Sequence, residues 1–381
     1  MKVVSWQSVL TEHQVHTTRA LQDVSHESMV IVSGVKELKE RKGQGWTMPD
    51  VSDLDVRYLE KSGWWKAGID ILCANKEAIH LFNGLWADRR FFALLLEAQR
   101  RGIQTALITE PFAEVPVGYL GEGAVWKERL KTKLRPWLYR IGGWFVAKKL
   151  KAVFAISNKA VEQFSKIGVR SDVIFPFGYF IPAMQMNGLS CSSVEGGIKL
   201  IFVGALIQRK GIQTLVNAMR ICNAKKLNVQ LDIYGHGDVE QLRGVNGVAY
   251  KGTIPFGQAQ KVIAEYDVLV LPSLHDGWGV VVNEALLQDV PVIVSDQVGA
   301  KTLIEKSGAG LVLPAGDCDA WVNGLSRIAQ DSGCVRAWKA KAATFKQCLL
   351  PEVAAQYMYE CLREDLHKPD KKIDNPWYSV C

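Results

Sequence analysis

Short apolar runs and helix-forming segments alternate along most of this sequence. The apolar runs that we predict as strands are residues 3–9, 29–32, 55–59, 78–82, 105–108, 152–156, 199–203, 229–234, 248–251, 268–271 and 290–295. Segments such as 91–101, 159–166 and 212–224 lie between them and are predicted as helices. Strands that alternate with helices at this spacing predict parallel, doubly wound sheets, so the expected fold class is α/β.

The alternation stops at residues 182–197, which are rich in Met, Ser, Gly and Cys, and then begins again. We interpret this stretch as a linker between two domains. The predicted organisation is a first domain over residues 1–185, a second over 198–350, and a C-terminal helix and tail over 351–381 that pack back towards the first domain. In doubly wound sheets ligands bind beyond the carboxyl ends of the strands, and we expect the ligand cleft between the two domains.

The composition is that of an ordinary globular protein, with 48% hydrophobic and 22% charged residues in 381. No window reaches the roughly 18 consecutive apolar residues that a membrane span needs. The N-terminus lacks the apolar segment of a secretory signal. The eight cysteines form no C-x-x-C pair, which favours free thiols in a reducing compartment over a disulfide framework or a zinc site. We therefore expect a cytoplasmic protein.

The net charge of +7 is unevenly distributed, and residues 126–151 are strongly basic. The basic residues of this segment are Lys127, Arg129, Lys131, Lys133, Arg135, Arg140, Lys148, Lys149 and Lys151, and its aromatic residues are Trp126, Trp137, Tyr139, Trp144 and Phe145. A helix of this composition fits an anionic membrane surface, which would place the protein on the inner face of the cell membrane. The alternative is a solvated helix whose aromatic side chains pack into the core. We expect no nucleic-acid partner, because the rest of the chain shows no basic stripe or RNA-binding aromatic motif.

A glycine-containing loop follows the predicted strand at 268–271. Gly277 and Gly279 stand between that strand and a helix-forming run, where glycines let an anionic ligand approach the backbone and the helix N-terminus offers N–H groups. Asp276 precedes this loop and Glu284 follows it. An anion-binding loop between two carboxylates suits a ligand with both phosphate and hydroxyl groups, such as a nucleotide sugar. The alternative is an ordinary strand–loop–helix connection with a surface Asp and Glu.

Several motifs in this order resemble those of family 4 of the glycosyltransferases, the group 1 type, to which bacterial surface-polysaccharide glycosyltransferases belong. The motifs are F-V-G-A-L-x3-K-G at 202–211, Y-G-H-G at 234–237, Y-K-G at 250–252, D-V-L-V-L-P-S at 267–273 and D-G-W-G-x4-E-A-L at 276–286. The last resembles the E-x7-E signature of that family and the first its V-G-R-L-x3-K-G segment. The resemblance implies the GT-B architecture, in which two Rossmann-like domains face each other across a cleft. It is strong over about 200–315 and rests in the first half on the alternation and on A-I-S at 155–157.

The resemblance implies roles for two carboxylates and a lysine in the second domain. Lys210 would contact the donor diphosphate and offset the charge that grows as the nucleoside diphosphate leaves. Glu284 matches the family glutamate that binds the ribose hydroxyls. Asp276 matches the glutamate that contacts the hydroxyls of the donor sugar, although its side chain is shorter. We predict Asp276 and Lys210 as catalytic residues and Glu284 as a donor-binding residue.

Other donor-binding residues are also implied by the matching motifs. They are Gly204, Arg209, Gly235 and His236, together with the backbone N–H groups of Gly277, Trp278, Gly279 and Val280. The family arginine is replaced by Ala205, and Arg209 is the candidate for its role. The alternative for Arg209 and Lys210 is a solvated helix start, and the alternative for the Trp278 side chain is core packing.

In the first domain, Glu110 follows the predicted strand at 105–108, where many family members have a histidine. We predict Glu110 as a catalytic group of the acceptor side that acts as a base or as electrostatic support. The alternative is a helix cap or a surface carboxylate. His13, Asn83 and Gly84 also follow predicted strands and are candidates for the acceptor side, although the glycine-rich loop that the family has after the first strand is missing.

No metal or other cofactor is expected. The sequence contains two D-x-D strings, at 53–55 and 317–319. A metal-binding D-x-D should end a strand, whereas the first leads into one, and the second has the position of a helix N-cap. We interpret both as structural.

These observations and the resemblance together predict a metal-independent glycosyltransferase that moves a sugar from a nucleotide sugar to a hydroxyl of a glycan or lipid-linked acceptor, in polysaccharide or glycolipid biosynthesis. The resemblance implies that the anomeric configuration is retained. Two alternatives remain open. A nucleotide-sugar 2-epimerase of the same architecture would need additional acid–base residues in the cleft. A non-catalytic nucleotide-sugar-binding partner of another transferase fits the loss of the arginine and of the glycine-rich loop. A NAD-dependent dehydrogenase is disfavoured, because no G-x-G-x-x-G follows the first strand.

Overall fold

The computed structural model describes residues 1–35, 49–114, 125–185, 197–255, 257–363 and 373–378, without the side chains of 125–128. These residues form two compact units. The first contains residues 1–114, 126–181, 351–363 and 373–376, and the second contains 182–185, 197–255, 257–350 and 377–378. Most of the interpreted linker and most of the C-terminal tail lie outside the described residues.

The first unit is built on a sheet of seven parallel strands. Its elements are β1 (Val3–Gln7), α1 (Glu12–Ser25), β2 (Val30–Ser33), β3 (Asp55–Tyr58), α2 (Trp64–Ala74), β4 (Ile79–Asn83), α3 (Arg89–Arg100), β5 (Thr105–Thr109), α4 (Val125–Val146), β6 (Leu150–Ile156), α5 (Asn158–Lys166) and β7 (Ile174–Phe177). The strand order is β3-β2-β1-β4-β5-β6-β7. Trp6 in β1 pairs with Val32 of β2 on one side and with Phe82 of β4 on the other.

The second unit is built on a sheet of six parallel strands. Its elements are β8 (Ile198–Val203), α6 (Ile212–Ala224), β9 (Val229–Tyr234), β10 (Val248–Tyr250), α7 (Ala259–Ile263), β11 (Val268–Leu271), α8 (Val280–Leu287), β12 (Val292–Ser295), α9 (Lys301–Ser307), β13 (Gly310–Leu313), α10 (Cys318–Gln330) and α11 (Ser332–Phe345). The strand order is β10-β9-β8-β11-β12-β13. Every residue of β11 and β12 is buried, as expected for parallel strands covered by helices on both faces.

The last helix, α12 (Pro351–Leu362), belongs to the first unit and packs against α1. Trp377 and Tyr378 belong to the second unit. Trp377 is fully buried there, and its Nε1 donates a hydrogen bond to the carbonyl of Cys348 at 2.6 Å. Among the described helices, none combines the length and the apolar character needed to cross a membrane.

The predicted fold class, two doubly wound parallel sheets, is confirmed, but two edge strands were missed. β7 contains Pro176, which cannot donate to a sheet, and β13 begins at Gly310. Each lies at the end of its sheet, where one side needs no hydrogen-bond partner and proline or glycine is tolerated. Ser157 is the N-cap residue of α5, although its side chain makes no capping hydrogen bond. The six cysteines within the described residues are free thiols, as expected.

The centre of the first unit contains a buried histidine. His80 in β4 is fully buried, and its Nδ1 accepts a hydrogen bond from Nε1 of Trp6 at 3.0 Å. Its Nε2 lies 3.0 Å from the carbonyl of Asn75, so this nitrogen carries the proton of a neutral ring. Burial lowers the pKa of His80 to about 4.

We predict that this histidine makes the first unit less stable in mild acid. The folded pKa of about 4 lies below the ordinary value of 6.5, so the unfolded chain binds more protons between these limits. The free energy of unfolding should therefore fall as the pH decreases from about 6.5 towards 4, by up to about 3 kcal/mol. Urea unfolding across this range, compared with His80→Gln, measures the effect. Equal pH dependence in the two proteins would contradict it.

Candidate functional site

The two central strands of the second sheet set the position of the candidate site. β8 and β11 are neighbours, and the chain continues outward to β9 and β10 on one side and to β12 and β13 on the other. The loops that leave β8 and β11 therefore run in opposite directions and open a crevice at the carboxyl ends of the strands. Lys210 lies in the loop after β8, and Asp276 lies in the loop after β11.

Lys210 and Asp276 meet in this crevice. The Lys210 Nζ lies 2.5 Å from Oδ2 of Asp276, and the two side chains are only 14% and 12% exposed. Arg209 joins the same two loops, because its Nη1 donates to the carbonyl of His275 at 3.1 Å and its own carbonyl accepts from the N–H of Leu274 at 2.7 Å. The structure therefore brings together three predicted residues from two motifs that are far apart in the sequence.

The charged form of Asp276 is stabilised by the residues around it. Burial alone would raise the pKa of Asp276, but the positive charges of Lys210 and Arg209 and the hydrogen bond from Lys210 together lower it. Asp276 is therefore a carboxylate at neutral pH. The ammonium of Lys210, predicted to meet the donor diphosphate, contacts a carboxylate of the protein itself in this structure.

Two glycines allow the loops to approach each other. Gly211 has a φ of +68°, and a Cβ added to it would lie 2.0 Å from the carbonyl oxygen of Pro272. Gly235 has a φ of +151°, and its Cβ would lie 1.8 Å from the carbonyl oxygen of Gly204. Neither position can carry a side chain without moving backbone. The K-G and Y-G-H-G motifs therefore set the spacing between the backbones of neighbouring loops.

The loop after β9 packs along the loop after β8. The N–H of Leu206 donates to the carbonyl of His236 at 2.7 Å, and the N–H of Gly204 donates to the carbonyl of Tyr234 at 3.0 Å. The side chain of His236 is exposed. Gly204 lies beside Lys210, whose Cε would be 3.8 Å from a Cβ at position 204. Gly204, Gly235 and His236 thus lie on one edge of the sheet with Lys210.

The glycine-containing loop leads directly into α8. Gly279 is the N-cap residue with a φ of 92°, and Val280 is the first helical residue. The first N–H groups of a helix have no acceptor within the helix, so the backbone at 277–280 can donate to an anion. The indole of Trp278 is buried and its Nε1 donates to Oδ1 of Asn283 at 2.9 Å. The Trp278 side chain is therefore a core residue, which was the alternative weighed for it, and its backbone remains the candidate.

Glu284 lies one turn into α8 and is partly buried. Its carboxylate forms no hydrogen bond or ion pair with any residue that the structure describes. Burial raises the pKa of Glu284 to about 7. Its environment is therefore opposite to that of Asp276, because one carboxylate has a cation beside it and the other does not. A carboxylate in this state can accept hydrogen bonds from the hydroxyls of a ligand.

The candidates in the first unit lie beyond the carboxyl ends of β1, β4 and β5, three adjacent strands of its sheet. Oε1 of Glu110 accepts a hydrogen bond from the hydroxyl of Tyr179 at 2.8 Å, and the Tyr179 ring packs on the ring of His13 with centroids 4.2 Å apart. His13, Asn83 and Tyr179 line one small cavity. Gly84 follows Asn83 at the end of β4 with a φ of +71°.

Sequence reasoning missed Tyr179. It stands two residues after β7, a strand that the sequence analysis did not identify, and no motif marks it. Had β7 been identified, the position of Tyr179 beyond its carboxyl end would have made this residue a candidate.

The D-x-D strings have the positions that the sequence predicts, because the first leads into β3 and the second contains the N-cap residue of α10. Asp53 pairs with Arg19 at 2.7 Å, and Asp55, the first residue of β3, pairs with Arg57 at 2.8 Å. Asp317 is the N-cap of α10, and its side chain accepts from the N–H of Ala320 at 3.0 Å.

The second unit matches a known family. Residues 197–331 match the family described as Glycosyl transferases group 1. The chain is 26% identical over 198 residues to a putative teichuronic acid biosynthesis glycosyltransferase, TuaC, of Bacillus subtilis, and this match covers 50% of the chain and 49% of TuaC. It is 27% identical over 202 residues to a phosphatidyl-myo-inositol mannosyltransferase of Mycobacterium leprae, which covers 50% of the chain and 51% of that protein.

Among solved structures, HepE of Anabaena in complex with UDP and glucose is similar, with a TM-score of 0.67 at 13% identity. The match covers 95% of this chain and 99% of HepE, and it confirms the predicted GT-B fold class. The chain spans about half the length of the two curated relatives. The fold is that of an α/β protein with two doubly wound sheets, and its residues 197–331 match a glycosyl transferases group 1 domain.

We predict that Lys210 and Asp276 are energetically coupled. Lys210→Met leaves a poorly solvated carboxylate without its cation and should lower the free energy of unfolding by about 1–3 kcal/mol. Lys210→Met with Asp276→Asn should recover most of this loss, because no charge then remains without a partner. Urea unfolding of the single and double variants gives the coupling energy. Lys225→Met, at an exposed lysine of the same unit, is the control, and additive losses would disprove the coupling.

Proposed function

We propose that this protein transfers a sugar from a nucleotide sugar to a hydroxyl of a glycan or lipid-linked acceptor, with retention of the anomeric configuration, in polysaccharide or glycolipid biosynthesis. The observation that carries the proposal is the meeting of Lys210 and Asp276 at 2.5 Å, within the residues that match the group 1 domain. The names of the relatives, one for teichuronic acid biosynthesis and one for mannosyl transfer to phosphatidyl-myo-inositol, support this acceptor class. The UDP and glucose bound to HepE support a nucleotide-sugar donor.

The donor diphosphate would bind between Lys210 and the N-terminus of α8. Its negative charge competes with Asp276 for the ammonium of Lys210, so donor binding would release the Asp276 carboxylate. The released carboxylate can accept hydrogen bonds from hydroxyls of the donor sugar, and Glu284 can accept those of the ribose. The two carboxylates are assigned different roles because their environments differ. Asp276 has the ammonium of Lys210 beside it, whereas the pKa of Glu284 is governed by burial.

In the transfer step, the bond between the anomeric carbon and the diphosphate oxygen breaks, and a bond to the acceptor oxygen forms on the same face of the sugar. The acceptor proton passes to an oxygen of the departing phosphate. Lys210 and the N–H groups at 277–280 stabilise the charge that develops on the diphosphate. This scheme assigns no metal ion, because the lysine and the helix N-terminus supply the positive potential. Glu110, held by Tyr179, supports the acceptor side.

As part of the same proposal, the reaction takes place on the cytoplasmic side, at the inner face of the cell membrane. A lipid-linked acceptor is confined to that surface, and the basic segment at 126–151 is suited to it.

We predict that nucleoside diphosphates raise the thermal midpoint of the second unit, and that the donor nucleotide raises it most. Transfer activity with the donor found in this screen should fall by roughly 10²–10³ in Lys210→Met, because the charge of the leaving group loses its cation. Glu284→Gln should weaken nucleotide binding, and Asp276→Asn should lower the turnover. Lys225→Met is the control in the same unit. Preserved transfer in all three site variants would refute the proposed site.

We also predict that donor binding releases protons near neutral pH. With a pKa of about 7, Glu284 is half protonated at pH 7, and hydrogen bonds from ribose hydroxyls favour its ionised form and lower the pKa. Binding should release about half a proton per ligand at pH 7 and should strengthen as the pH rises through that value. Titration calorimetry in buffers with different ionisation enthalpies measures the release. Glu284→Gln should abolish it, and release that persists in this variant would assign the proton elsewhere.

A further inference from the structure

Helix α4 exposes an unusual amount of apolar surface. Among the described side chains of this helix, residues 129–146, seven large apolar ones are exposed, namely Leu130, Leu134, Trp137, Leu138, Ile141, Trp144 and Phe145. The two tryptophans are the most open, with Trp137 at 62% and Trp144 at 75%. Large apolar side chains in this number are normally buried, so a contiguous group of them on one helix indicates an interaction surface.

The seven residues lie on one face of α4. They are spaced three or four positions apart along five successive levels of the helix, at 130, 134, 137–138, 141 and 144–145, which is the spacing of a single stripe. The opposite face is packed against the first unit. A Cβ on Gly143 would lie 2.7 Å from the carbonyl of Ile167, and one on Gly142 would lie 3.0 Å from side-chain atoms of Leu85 and Trp86. The apolar stripe therefore faces away from the core.

Positive charges border the stripe on both sides. On a helix turning about 100° per residue, Lys131 projects next to one edge of the stripe, and Arg129, Lys133 and Arg140 project next to the other. Lys148 and Lys149 follow at the C-terminal end of the helix. All six are exposed, and within the described part of the chain none of them has an ion-pair partner.

We propose that this face of α4 is a docking surface for the anionic surface of a phospholipid bilayer. The helix lies parallel to the membrane, with the apolar stripe inserted among the lipids and the flanking lysines and arginines on the acidic headgroups. The indole rings of Trp137 and Trp144 are suited to the boundary between headgroups and acyl chains. The charges select this occupant over a second copy of the chain, because two such surfaces would bring their positive borders together. This docking surface rests on the membrane location given in the proposed function. Vesicle binding is measured without a substrate, so its failure would leave the proposed sugar transfer untouched.

Co-sedimentation of the full chain with vesicles tests the proposal. We expect binding to vesicles of phosphatidylglycerol mixed with phosphatidylcholine and much weaker binding to phosphatidylcholine alone. Lys133→Gln with Arg140→Gln should weaken binding roughly fivefold for each charge removed, and added salt should weaken it further. The control with the same change in charge is Lys225→Gln with Lys261→Gln, at exposed lysines of the second unit, and it should bind like the unchanged protein.

The apolar stripe is tested separately with the double variant Trp137→Ala and Trp144→Ala. Ile221→Ala, at an exposed apolar residue of the second unit, is the control. The double variant should lose at least tenfold in vesicle binding and keep its thermal midpoint, because both side chains are exposed. Binding that ignores salt and lipid charge would overturn the proposal, as would full binding by the tryptophan variant. Light scattering tests whether a second copy of the chain occupies the stripe instead. If the protein is a dimer, and the tryptophan substitutions dissociate it without affecting vesicle binding, the stripe would be assigned to a second copy of the chain.

Discussion

The candidate site depends on the pairing of β8 with β11 at the centre of the second sheet. Their register joins Val268 to Leu200 and Leu269 to Ile201, and this register fixes where the two following loops begin. The loops must then approach within backbone contact, which Gly211 permits by placing no side chain against the carbonyl of Pro272. Only with both conditions met can Lys210 reach Asp276. The charge pair is thus a consequence of strand order and of one glycine.

Charge compensation explains how such a crevice is stable before a ligand arrives. A site that binds a diphosphate needs positive potential, and positive charge with little solvent is costly unless an anion accompanies it. Asp276 supplies that anion to Lys210, and the shorter aspartate in place of the family glutamate remains within 2.5 Å of the ammonium. Glu284 is a partly buried carboxylate with no cation beside it among the described residues, and its pKa of about 7 allows it to be neutralised by protonation. The cost of burying a carboxylate is therefore offset in two ways, by an ion pair at Asp276 and by protonation at Glu284.

The sequence predicted most of the fold and of the donor side, because both rest on short-range patterns. Apolar runs mark buried central strands, and the K-G and D-G-W-G segments mark loops whose backbone conformation depends on glycine. The ion pair of Lys210 with Asp276 could not be predicted, since these residues lie 66 positions apart in the chain and meet only through the register of β8 and β11. The edge strand β7 was missed because Pro176 argues against a strand and only its position at the edge removes the conflict. The omission of β7 concealed Tyr179, which joins Glu110 and His13 by contacts across the sheet.

Helix α4 shows why composition alone left two interpretations of the basic segment open. Aromatic side chains on a basic helix are expected in the core if they face inward and on a membrane if they face outward, and the sequence does not say which face is buried. The structure shows which aromatic residues face inward and which face outward. Tyr139 packs on Phe112 with ring centroids 4.5 Å apart, whereas Trp137 and Trp144 are exposed to solvent. Gly142 and Gly143 face the core, because a Cβ at these positions would lie 3.0 Å from Leu85 and 2.7 Å from the carbonyl oxygen of Ile167. Once the glycines face the core, the helical period of 3.6 residues turns Trp144 and Leu138 outward, and the basic residues fall on either side of them.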